Sequence, residues 1–427
     1  MNGTTPRLAF VNLGCRVNRV ELDDMAYTAE RLGAQIVPAE EADLVVINTC
    51  AVTGEAEAKT RKAIRKHAAL PQSPLVLATG CVAALFSNEL TQLGEHVLVE
   101  IDKRHVPLRA MQELGFVVDT RNLVPKEQLQ SILTPTGRTR PGIKIQDGCD
   151  HRCTFCIVWK ARGPGRSLPY EQVVERVQEQ YDQGVKEVVL TGINLGCYHT
   201  HYNNKDCDIA TLLENLLKDT DISRIRLSSI EPQDVSGHLL DVIAHSSGRI
   251  ASYLHIPLQS GCDATLRRMG RAYTLDDYMA TIQLAKKMLP SLSLGCDLIV
   301  GFPGETDEEF AQSMQTCKEA FFTKMHIFRY SKRPGTPAAQ APNQVDPQVM
   351  NERAKQAREL AIYMRQASAA SLAGKTDYVV IQGRNRGVSS GLFDVQLNSH
   401  NLHGMYNCMI DAVRGTTLLA HIIQPKA

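Results

Sequence analysis

Three cysteines in the middle of the chain have a spacing that suits metal chemistry. Cys149, Cys153 and Cys156 form a C-x3-C-x2-C pattern within QDGCDHRCTFCI, directly after a predicted strand. Cysteine thiolates hold iron–sulfur clusters, and this compact spacing lets one loop supply three corners of a cubane. A structural zinc site normally has four ligands, whereas no fourth cysteine lies within a few residues and His151 falls inside the turn. The spacing therefore predicts a cluster with one iron open to another ligand.

Three further cysteines share one position, immediately after a predicted strand. Cys15, Cys50 and Cys81 end the stretches FVNLGC, VVINTC and LVLATGC. The loops beyond the carboxyl ends of parallel strands form the ligand crevice of an open sheet, so we expect these thiols to converge. The alternative is three unrelated buried cysteines, since a free cysteine often behaves as a small hydrophobe. Three thiolates suit zinc or an iron–sulfur cluster and leave one metal position open.

The elements that position these cysteines predict an α/β protein of three domains. Strands and helices alternate from residue 7 to about 120, which predicts a doubly wound parallel sheet. Six further strand and helix units predict a partial (β/α)6 barrel, smaller than the closed eightfold barrel. Short strands in the tail predict a small all-β barrel. The predicted bounds are 1–125 for the N-terminal domain, 126–138 for a linker, 139–370 for the barrel and 371–427 for the C-terminal domain.

Composition places the chain among ordinary globular proteins. Its 427 residues are 43% hydrophobic and 22% charged, with a net charge of +1. Neither an apolar stretch of about 18 residues nor a signal-peptide pattern is found, so the sequence predicts a cytoplasmic protein without membrane spans. Twelve cysteines in such a chain indicate metal or redox chemistry rather than a disulfide framework.

The cysteine motif, with Phe155 before its last cysteine, resembles the signature of radical S-adenosylmethionine enzymes. Together with the N-terminal cysteines and the C-terminal β domain, it resembles the methylthiotransferases. Within that family, NLGCRVN, INTCAVTGEA, ARGPGRS, LTGINLG, RLSSIEP, IPLQSG, IVGFPGET and RYSKRPGTPA are most similar to the MtaB type. Trp159 and Lys160 depart from the family's usual Pro-Tyr, which predicts different packing beside the cluster.

The resemblance implies the cofactors and the reaction. Each cysteine trio would hold a 4Fe-4S cluster, and S-adenosylmethionine would bind the open iron of the central one and yield a radical on cleavage. A methylthio group would be inserted at carbon 2 of N6-threonylcarbamoyladenosine at position 37 of tRNA. The same chemistry on isopentenyladenosine of tRNA, or on a ribosomal protein aspartate, is the nearest alternative. A non-catalytic RNA-binding protein with zinc or a structural cluster is the alternative from another class.

The resemblance also implies a set of S-adenosylmethionine contacts at the ends of the barrel strands. Ordinary glycine turns are the alternative interpretation of the motifs TGIN, IPLQSG and GFPGET. The implied residues are Phe155, Thr191, Gly192, Asn194, Ser229, Glu231, Gln259, Gly301 and Phe302.

The implied partners are the tRNA anticodon stem-loop and an electron donor such as flavodoxin or ferredoxin. The C-terminal domain resembles the TRAM domain, an RNA-binding barrel. KTRKAIRKH places Lys59, Lys62 and Lys66 at helical spacing, with a solvated helix face as the alternative. Arg162 and Arg166 are candidates for a phosphate or a cofactor carboxylate.

One polar loop, GCYHTHYNNKDC, carries several metal-ligating side chains. Cys197, His199, His201 and Cys207 lie within it, but their spacing fits no structural zinc pattern well, so a fortuitous surface cluster is the preferred interpretation.

Overall fold

The computed structural model describes residues 5–118, 123, 139–399 and 402–425. The predicted linker, 126–138, lies outside the described residues, so the domain boundaries stay predictions. Three structural units are present: an N-terminal parallel sheet, a six-stranded partial barrel and a C-terminal closed barrel. The predicted fold class is therefore confirmed.

The N-terminal unit is a five-stranded parallel sheet of order β2-β1-β3-β4-β5. Its strands are β1 (Arg7–Asn12), β2 (Gln35–Ile36), β3 (Leu44–Thr49), β4 (Leu75–Gly80) and β5 (Val97–Val99). Its helices are α1 (Arg16–Arg31), α2 (Gly54–Ala68), α3 (Cys81–Leu85), α4 (Ser87–Thr91) and α5 (Val106–Glu113). Successive residues of the strands point to opposite faces of the sheet and pack into two separate cores. One core lies beneath α1 and α5, and the other lies beneath α2, α3 and α4. The sheet is therefore doubly wound.

The central unit is a curved parallel sheet of order β6-β9-β12-β13-β14-β15, in which isolated bridges join two three-stranded halves. Its strands are β6 (Gly142–Lys144), β9 (Glu187–Thr191), β12 (Arg224–Leu227), β13 (Tyr253–His255), β14 (Ser293–Val300) and β15 (Lys324–Arg329). The same unit contains two short antiparallel strand pairs: β7 (Gln146–Asp147) with β8 (Arg166–Ser167), and β10 (His199–Tyr202) with β11 (Lys205–Asp208). Its helices are α6 (Val158–Arg162), α7 (Tyr170–Asp182), α8 (Ile209–Asp219), α9 (Gly237–Ala244), α10 (Asp263–Met269), α11 (Leu275–Met288), α12 (Asp307–Ala320), α13 (Pro337–Gln340) and α14 (Pro347–Ala370).

The C-terminal unit is a closed five-stranded barrel of order β16-β17-β18-β20-β19. Its strands are β16 (Thr376–Gly383), β17 (Arg386–Ser389), β18 (Asp394–Leu397), β19 (Met405–Arg414) and β20 (Thr417–Pro425). Closure leaves no free sheet edge, which is how small β barrels avoid unpaired backbone groups.

A buried ion cluster joins the C-terminal barrel to the central one. Glu187 is fully buried at the start of β9 and pairs with Arg224 and Arg226 at the start of β12. Arg224 donates to the carbonyl of Tyr378 at 2.8 Å, and Arg226 donates to that of Ser390 at 2.8 Å. Burial acts to raise the pKa of Glu187, but the two guanidinium groups outweigh it and hold that pKa well below its ordinary value. The two domains therefore share one charged network.

Replacing Glu187 by Gln leaves two buried guanidinium groups without their counter-charge. We expect the free energy of unfolding to fall by about 3–5 kcal/mol, measured by denaturant unfolding. Glu214→Gln is the control, because it removes an exposed partner of Lys218 and should cost less than about 1 kcal/mol. Equal losses in the two variants would contradict a structural role for the buried cluster.

Candidate active site

The first cysteine trio lies at one edge of the N-terminal sheet. Strands β1, β3 and β4 are neighbours and parallel, so their carboxyl ends lie side by side. Cys15, Cys50 and Cys81 follow these ends, and the three thiols lie close enough to influence one another electrostatically. Gly80 has φ +94°, and a side chain there would collide with Asn48 and the backbone of Thr49. The glycine thus allows β4 to end directly before α3, so that Cys81 is the first residue of that helix.

The second trio lies in the loop between β7 and α6. The amide of Cys149 donates to the carbonyl of Gly163 at 3.1 Å, and that of Cys156 donates to the carbonyl of Cys153 at 3.1 Å, which folds the loop back on itself. Two donors point at the sulfurs: Arg271 Nη1 lies 3.2 Å from Cys153 Sγ, and the amide of Val158 lies 3.4 Å from Cys156 Sγ. Hydrogen bonds of this kind commonly reach the sulfur of a metal-bound thiolate and tune the metal.

The three sulfurs of each trio are not drawn together into one close ligand group. Among the described residues, the groups of metal-ligating atoms that lie within 4.8 Å of one another include neither cysteine trio. Each trio supplies three thiols, the number of protein ligands that leaves one iron of a 4Fe-4S cluster open.

Two of the thiols, one in each trio, are held in the neutral form by burial. Burial raises the pKa of Cys50 to about 11, and burial likewise raises the pKa of Cys156 to about 11. A coordinated metal deprotonates a thiol outright. The residues present therefore fit iron–sulfur clusters in their number and in the hydrogen-bond donors around the sulfurs.

One arginine connects the surroundings of the two trios. Helix α3, which begins at Cys81, packs against α6, which ends at Arg162. Burial acts to lower the pKa of Arg162, but the nearby Cys81 and Glu21 outweigh it and hold that pKa well above its ordinary value. The guanidinium donates to Glu21 at 2.8 Å and to Asn18 Oδ1 at 3.1 Å, and the same Asn18 oxygen lies 3.2 Å from Cys15 Sγ. The helix that begins at Cys81 and the helix that follows the second trio therefore meet at the interface between the sheet and the barrel.

A cavity of about 820 Å³ opens at this interface. Its wall includes Cys81 of the first trio, together with Asp147 and Arg162 from the segments that flank the second trio. Glu21 and Lys144 also line it and form a 2.8 Å ion pair. The cavity is thus polar and charged, and it lies between the two domains.

Comparison with known proteins agrees with this architecture. Residues 143–317 match the Radical SAM superfamily, and residues 7–100 match a family described as Uncharacterized protein family UPF0004. The threonylcarbamoyladenosine tRNA methylthiotransferase MtaB of Bacillus subtilis is 39% identical over 81% of this chain and 78% of its own length. The chain belongs to the MtaB family. The protein of the same name from Thermotoga maritima is 32% identical over 94% of this chain and 96% of its own length.

Proteins named tRNA-2-methylthio-N(6)-dimethylallyladenosine synthase are 28–30% identical to this MtaB-family chain. The fold is also similar to that of the radical S-adenosylmethionine methyltransferase TsrM from Kitasatospora setae, with a TM-score of 0.54, 15% identity and coverage of 79% of this chain and 77% of TsrM. That similarity shows the fold alone. Membership of the radical SAM superfamily implies S-adenosylmethionine and a 4Fe-4S cluster, and the MtaB family has a second cluster.

The residues that the sequence assigned to S-adenosylmethionine surround one end of the barrel. All of them follow the carboxyl ends of barrel strands or, for Phe155, the cluster loop, which is the end where barrels of this kind place their sites. Phe155 and Phe302 meet edge to face, with ring centroids 6.3 Å apart. Asn194 has a buried side-chain oxygen without a hydrogen-bond partner in the described structure, so that atom is available to a ligand. Gln259, four residues beyond the end of β13, has φ +61°, a strained conformation. Their roles as cofactor ligands stay predictions.

The GFPGET loop is held from within. The amide of Gly301 donates to Glu305 at 2.6 Å, and Arg353 donates to the same carboxylate at 2.7 Å. Thr306 then caps α12 in a capping box with Glu309. Part of the motif therefore serves to start a helix, as the ordinary interpretation of a glycine turn requires.

Sequence reasoning missed two residues that brace the cluster loop. Gln146 donates to the carbonyl of Gly148 at 2.9 Å and accepts from the amide of Asn194 at 2.9 Å, so it joins the cluster loop to TGIN. Arg271 contacts Cys153 and pairs with Glu231. Each lies far along the chain from at least one partner, and no local spacing signals such contacts.

The two candidate anion-binding arginines both line the cavity. Arg162 is buried and pairs with Glu21 and Asp147, whereas Arg166 is half exposed and pairs with Asp147 at 2.7 Å. Their roles toward a phosphate or a carboxylate stay predictions. Trp159 packs beneath the guanidinium of Arg152, 4.4 Å from the ring centroid, and Lys160 donates to the carbonyl of Gly335.

The polar loop does not bring its two cysteines to its histidines. Cys207 is buried in the barrel core, because neighbouring residues of β11 point to opposite faces. His199, His201 and Asp206 instead form an exposed group in which His201 Nδ1 lies 3.1 Å from Asp206.

The basic helix α2 is partly neutralised. Lys59 pairs with Glu55 at 2.7 Å, and Arg61 pairs with Glu57 at 3.0 Å. Lys62, Arg65 and Lys66 are exposed. Arg65 and Lys66 also lie in the last turn of α2, where cations complement the helix dipole. In the described residues no helix has the length and apolar character that a membrane span requires.

Proposed function

We propose that this protein is a tRNA methylthiotransferase that inserts a methylthio group at carbon 2 of N6-threonylcarbamoyladenosine at position 37. The observation that supports the proposal is the packing of α3, which begins at Cys81 of the first trio, against α6, which follows Cys156 of the second trio. Membership of the MtaB family gives the substrate, because relatives named for dimethylallyladenosine are less similar.

The chain's own residues supply positions and surroundings for this reaction. Cys149, Cys153 and Cys156 would hold one 4Fe-4S cluster, and Cys15, Cys50 and Cys81 the other. When bound, the clusters and S-adenosylmethionine supply the radical chemistry and the methylthio group that replaces the hydrogen at carbon 2. Arg271 donates to a sulfur of the second trio, and such donors set the electronics of a cluster.

The contacts implied for S-adenosylmethionine follow the strand ends described above. Thr191 ends β9, Gly192 and Asn194 come directly after it, and Ser229 and Glu231 follow β12. Asn194 offers its unpartnered oxygen to a donor such as the amino group of the cofactor. Phe155 is partly buried and offers an aromatic surface to its adenine, and the buried Phe302 packs edge to face against that ring.

We also propose that the protein acts in the cytoplasm on the anticodon stem-loop, with flavodoxin or ferredoxin as electron donor. A base at position 37 lies in a single-stranded loop, which an enzyme reaches without opening a duplex. Lys62, Arg65 and Lys66 form an exposed basic patch on α2, on the domain that carries the first trio.

Mass spectrometry of tRNA nucleosides tests the proposed reaction. A deletion strain should lose 2-methylthio-N6-threonylcarbamoyladenosine and accumulate its unthiolated precursor. Wild-type protein should restore the product, and Cys81→Ala should not. If the deletion strain lost a methylthiolated isopentenyladenosine instead, the substrate assignment would be wrong.

Replacing Lys62, Arg65 and Lys66 together by alanine removes three potential phosphate contacts. We expect tRNA affinity to fall about tenfold and the slope of log K against log salt concentration to decrease in magnitude by about 2–3, because each phosphate contact releases counterions. Fluorescence anisotropy over a salt series measures both quantities. Lys218→Ala, on the exposed face of α8, is the control, and an unchanged salt slope in the triple variant would exclude the patch from the RNA interface.

A further inference from the structure

The inner face of strands β13, β14 and β15 carries a group of polar and aromatic side chains to which the cluster chemistry assigns no role. Residues that alternate along these strands, such as Leu254, Cys296 and Leu298, are buried in the core beneath the outer helices. The residues between them lie on the other face, because side chains alternate along a strand. His255, Asp297 and His326 are among these, and the register places Asp297 directly opposite His326.

The three polar residues form one hydrogen-bonded row. Asp297 Oδ1 accepts from His255 Nε2 at 3.0 Å and from His326 Nδ1 at 3.1 Å, and the two imidazole rings stack with centroids 5.2 Å apart. Tyr253 Oη lies 3.2 Å from His255 Nδ1. A side chain at position 295 would collide with Tyr253 and His255, so Gly295 leaves room for the row.

This row fixes the orientation of His326. Burial acts to raise the pKa of Asp297, but the hydrogen bonds from the two histidines outweigh it and hold that pKa well below its ordinary value. The ionised carboxylate accepts a hydrogen bond from Nδ1 of His326, and such a bond is how a carboxylate orients a functional imidazole. Nε2 is thereby left for a ligand, and the His326 side chain is 46% exposed.

An aromatic ring and a cation flank His326 on the same strand face. Phe328 is 38% exposed and lies edge to face with His326, with centroids 6.5 Å apart. The register places Phe328 opposite Ile299, which packs in the cluster of Phe155 and Phe302. The face is therefore continuous with the region beside the second cysteine trio.

Lys324 lies two residues before His326 and is half buried. Burial lowers the pKa of its ammonium group, the nearby Arg365 and Arg16 lower it further, and Asp394 acts to raise it. A half-buried cation whose neighbours are mostly cationic favours an anion, because an anion relieves their mutual repulsion.

We propose that His326, Phe328 and Lys324 form the binding site for the target nucleoside. These residues select a nucleoside that carries an acidic substituent. Phe328 stacks on the extruded base, and His326 and Lys324 bind the carboxylate of the substituent. The inference rests on the proposed function. The threonylcarbamoyl group ends in a carboxylate and the dimethylallyl group is apolar, so polar groups left without a partner would reject the latter.

Binding of three anticodon stem-loops to the anaerobic holoenzyme, without S-adenosylmethionine, tests the inference. The RNAs carry N6-threonylcarbamoyladenosine, dimethylallyladenosine or adenosine at position 37, and fluorescence anisotropy gives their affinities. Wild type should prefer the threonylcarbamoyl RNA about tenfold. His326→Gln and Lys324→Met should each reduce that preference to about twofold or less, because they remove hydrogen-bond donors that the other RNAs do not use. Phe328→Leu should weaken all three RNAs about tenfold and keep the preference.

The control is His245→Gln, an exposed histidine beside Asp241 at the end of α9, which should change nothing. Equal affinity of wild type for the three RNAs, or an unchanged preference in both His326→Gln and Lys324→Met, would overturn the inference. Unchanged iron content and thermal unfolding show that a variant is folded. Failure of the proposed function is a separate result, the absence of a methylthiolated nucleoside in the turnover assay.

Discussion

Replacing Cys15, Cys50 and Cys81 together by alanine should abolish methylthio transfer and leave cleavage of S-adenosylmethionine within a few-fold of wild type. The three residues lie on the N-terminal sheet, whereas the candidate cofactor contacts and the second trio lie on the barrel. Replacing Cys149, Cys153 and Cys156 should abolish both reactions, because no thiolates would remain to hold the cluster to which the cofactor binds.

Anaerobic assays of 5′-deoxyadenosine and of methylthiolated tRNA measure the two reactions on the same samples. Cys408→Ala is the control for loss of a buried thiol, because Cys408 lies in the core of the C-terminal barrel, and it should retain both. If the N-terminal triple variant still transferred a methylthio group, the first trio would have no role in the transfer.

Arg162→Met should uncouple the two reactions. Arg162 is buried and ties α6, which follows the second trio, to Glu21 and Asn18 beside the first trio. A displacement of about 1 Å between reacting groups costs about a hundredfold in rate. We therefore expect methylthio transfer to fall about a hundredfold, while cleavage of S-adenosylmethionine without transfer persists.

The ratio of 5′-deoxyadenosine to methylthiolated tRNA measures this uncoupling, and a general loss of folding would not raise it. Arg166→Met is the matched control, since Arg166 is half exposed and pairs with Asp147 at the same cavity. An equal fall of both products in Arg162→Met would contradict a positioning role.

Much of the cluster site follows from local sequence. A cysteine directly after each of three predicted strands implies one sheet edge, because parallel neighbouring strands end together. The structure adds the order of those strands, β1-β3-β4, which places the three ends next to one another. The C-x3-C-x2-C loop likewise requires only its own few residues to bring three thiols together.

The long-range contacts have no such local signal. His255, Asp297 and His326 come from three strands, and their hydrogen bonds depend on the register of the sheet. Arg162 resembles a solvent-facing arginine in sequence, yet it is buried because Glu21 and Asn18 of a distant helix meet it. The polar loop shows the converse: Cys207 is close to the histidines in sequence, and strand alternation sends it into the core.

Iron and sulfide analysis of the anaerobically purified protein tests the two-cluster account most directly. The account predicts about eight irons and eight sulfides in wild type, and about four of each after removal of either trio. Stoichiometric zinc, or an iron content that does not change when Cys15, Cys50 and Cys81 are replaced, would contradict it.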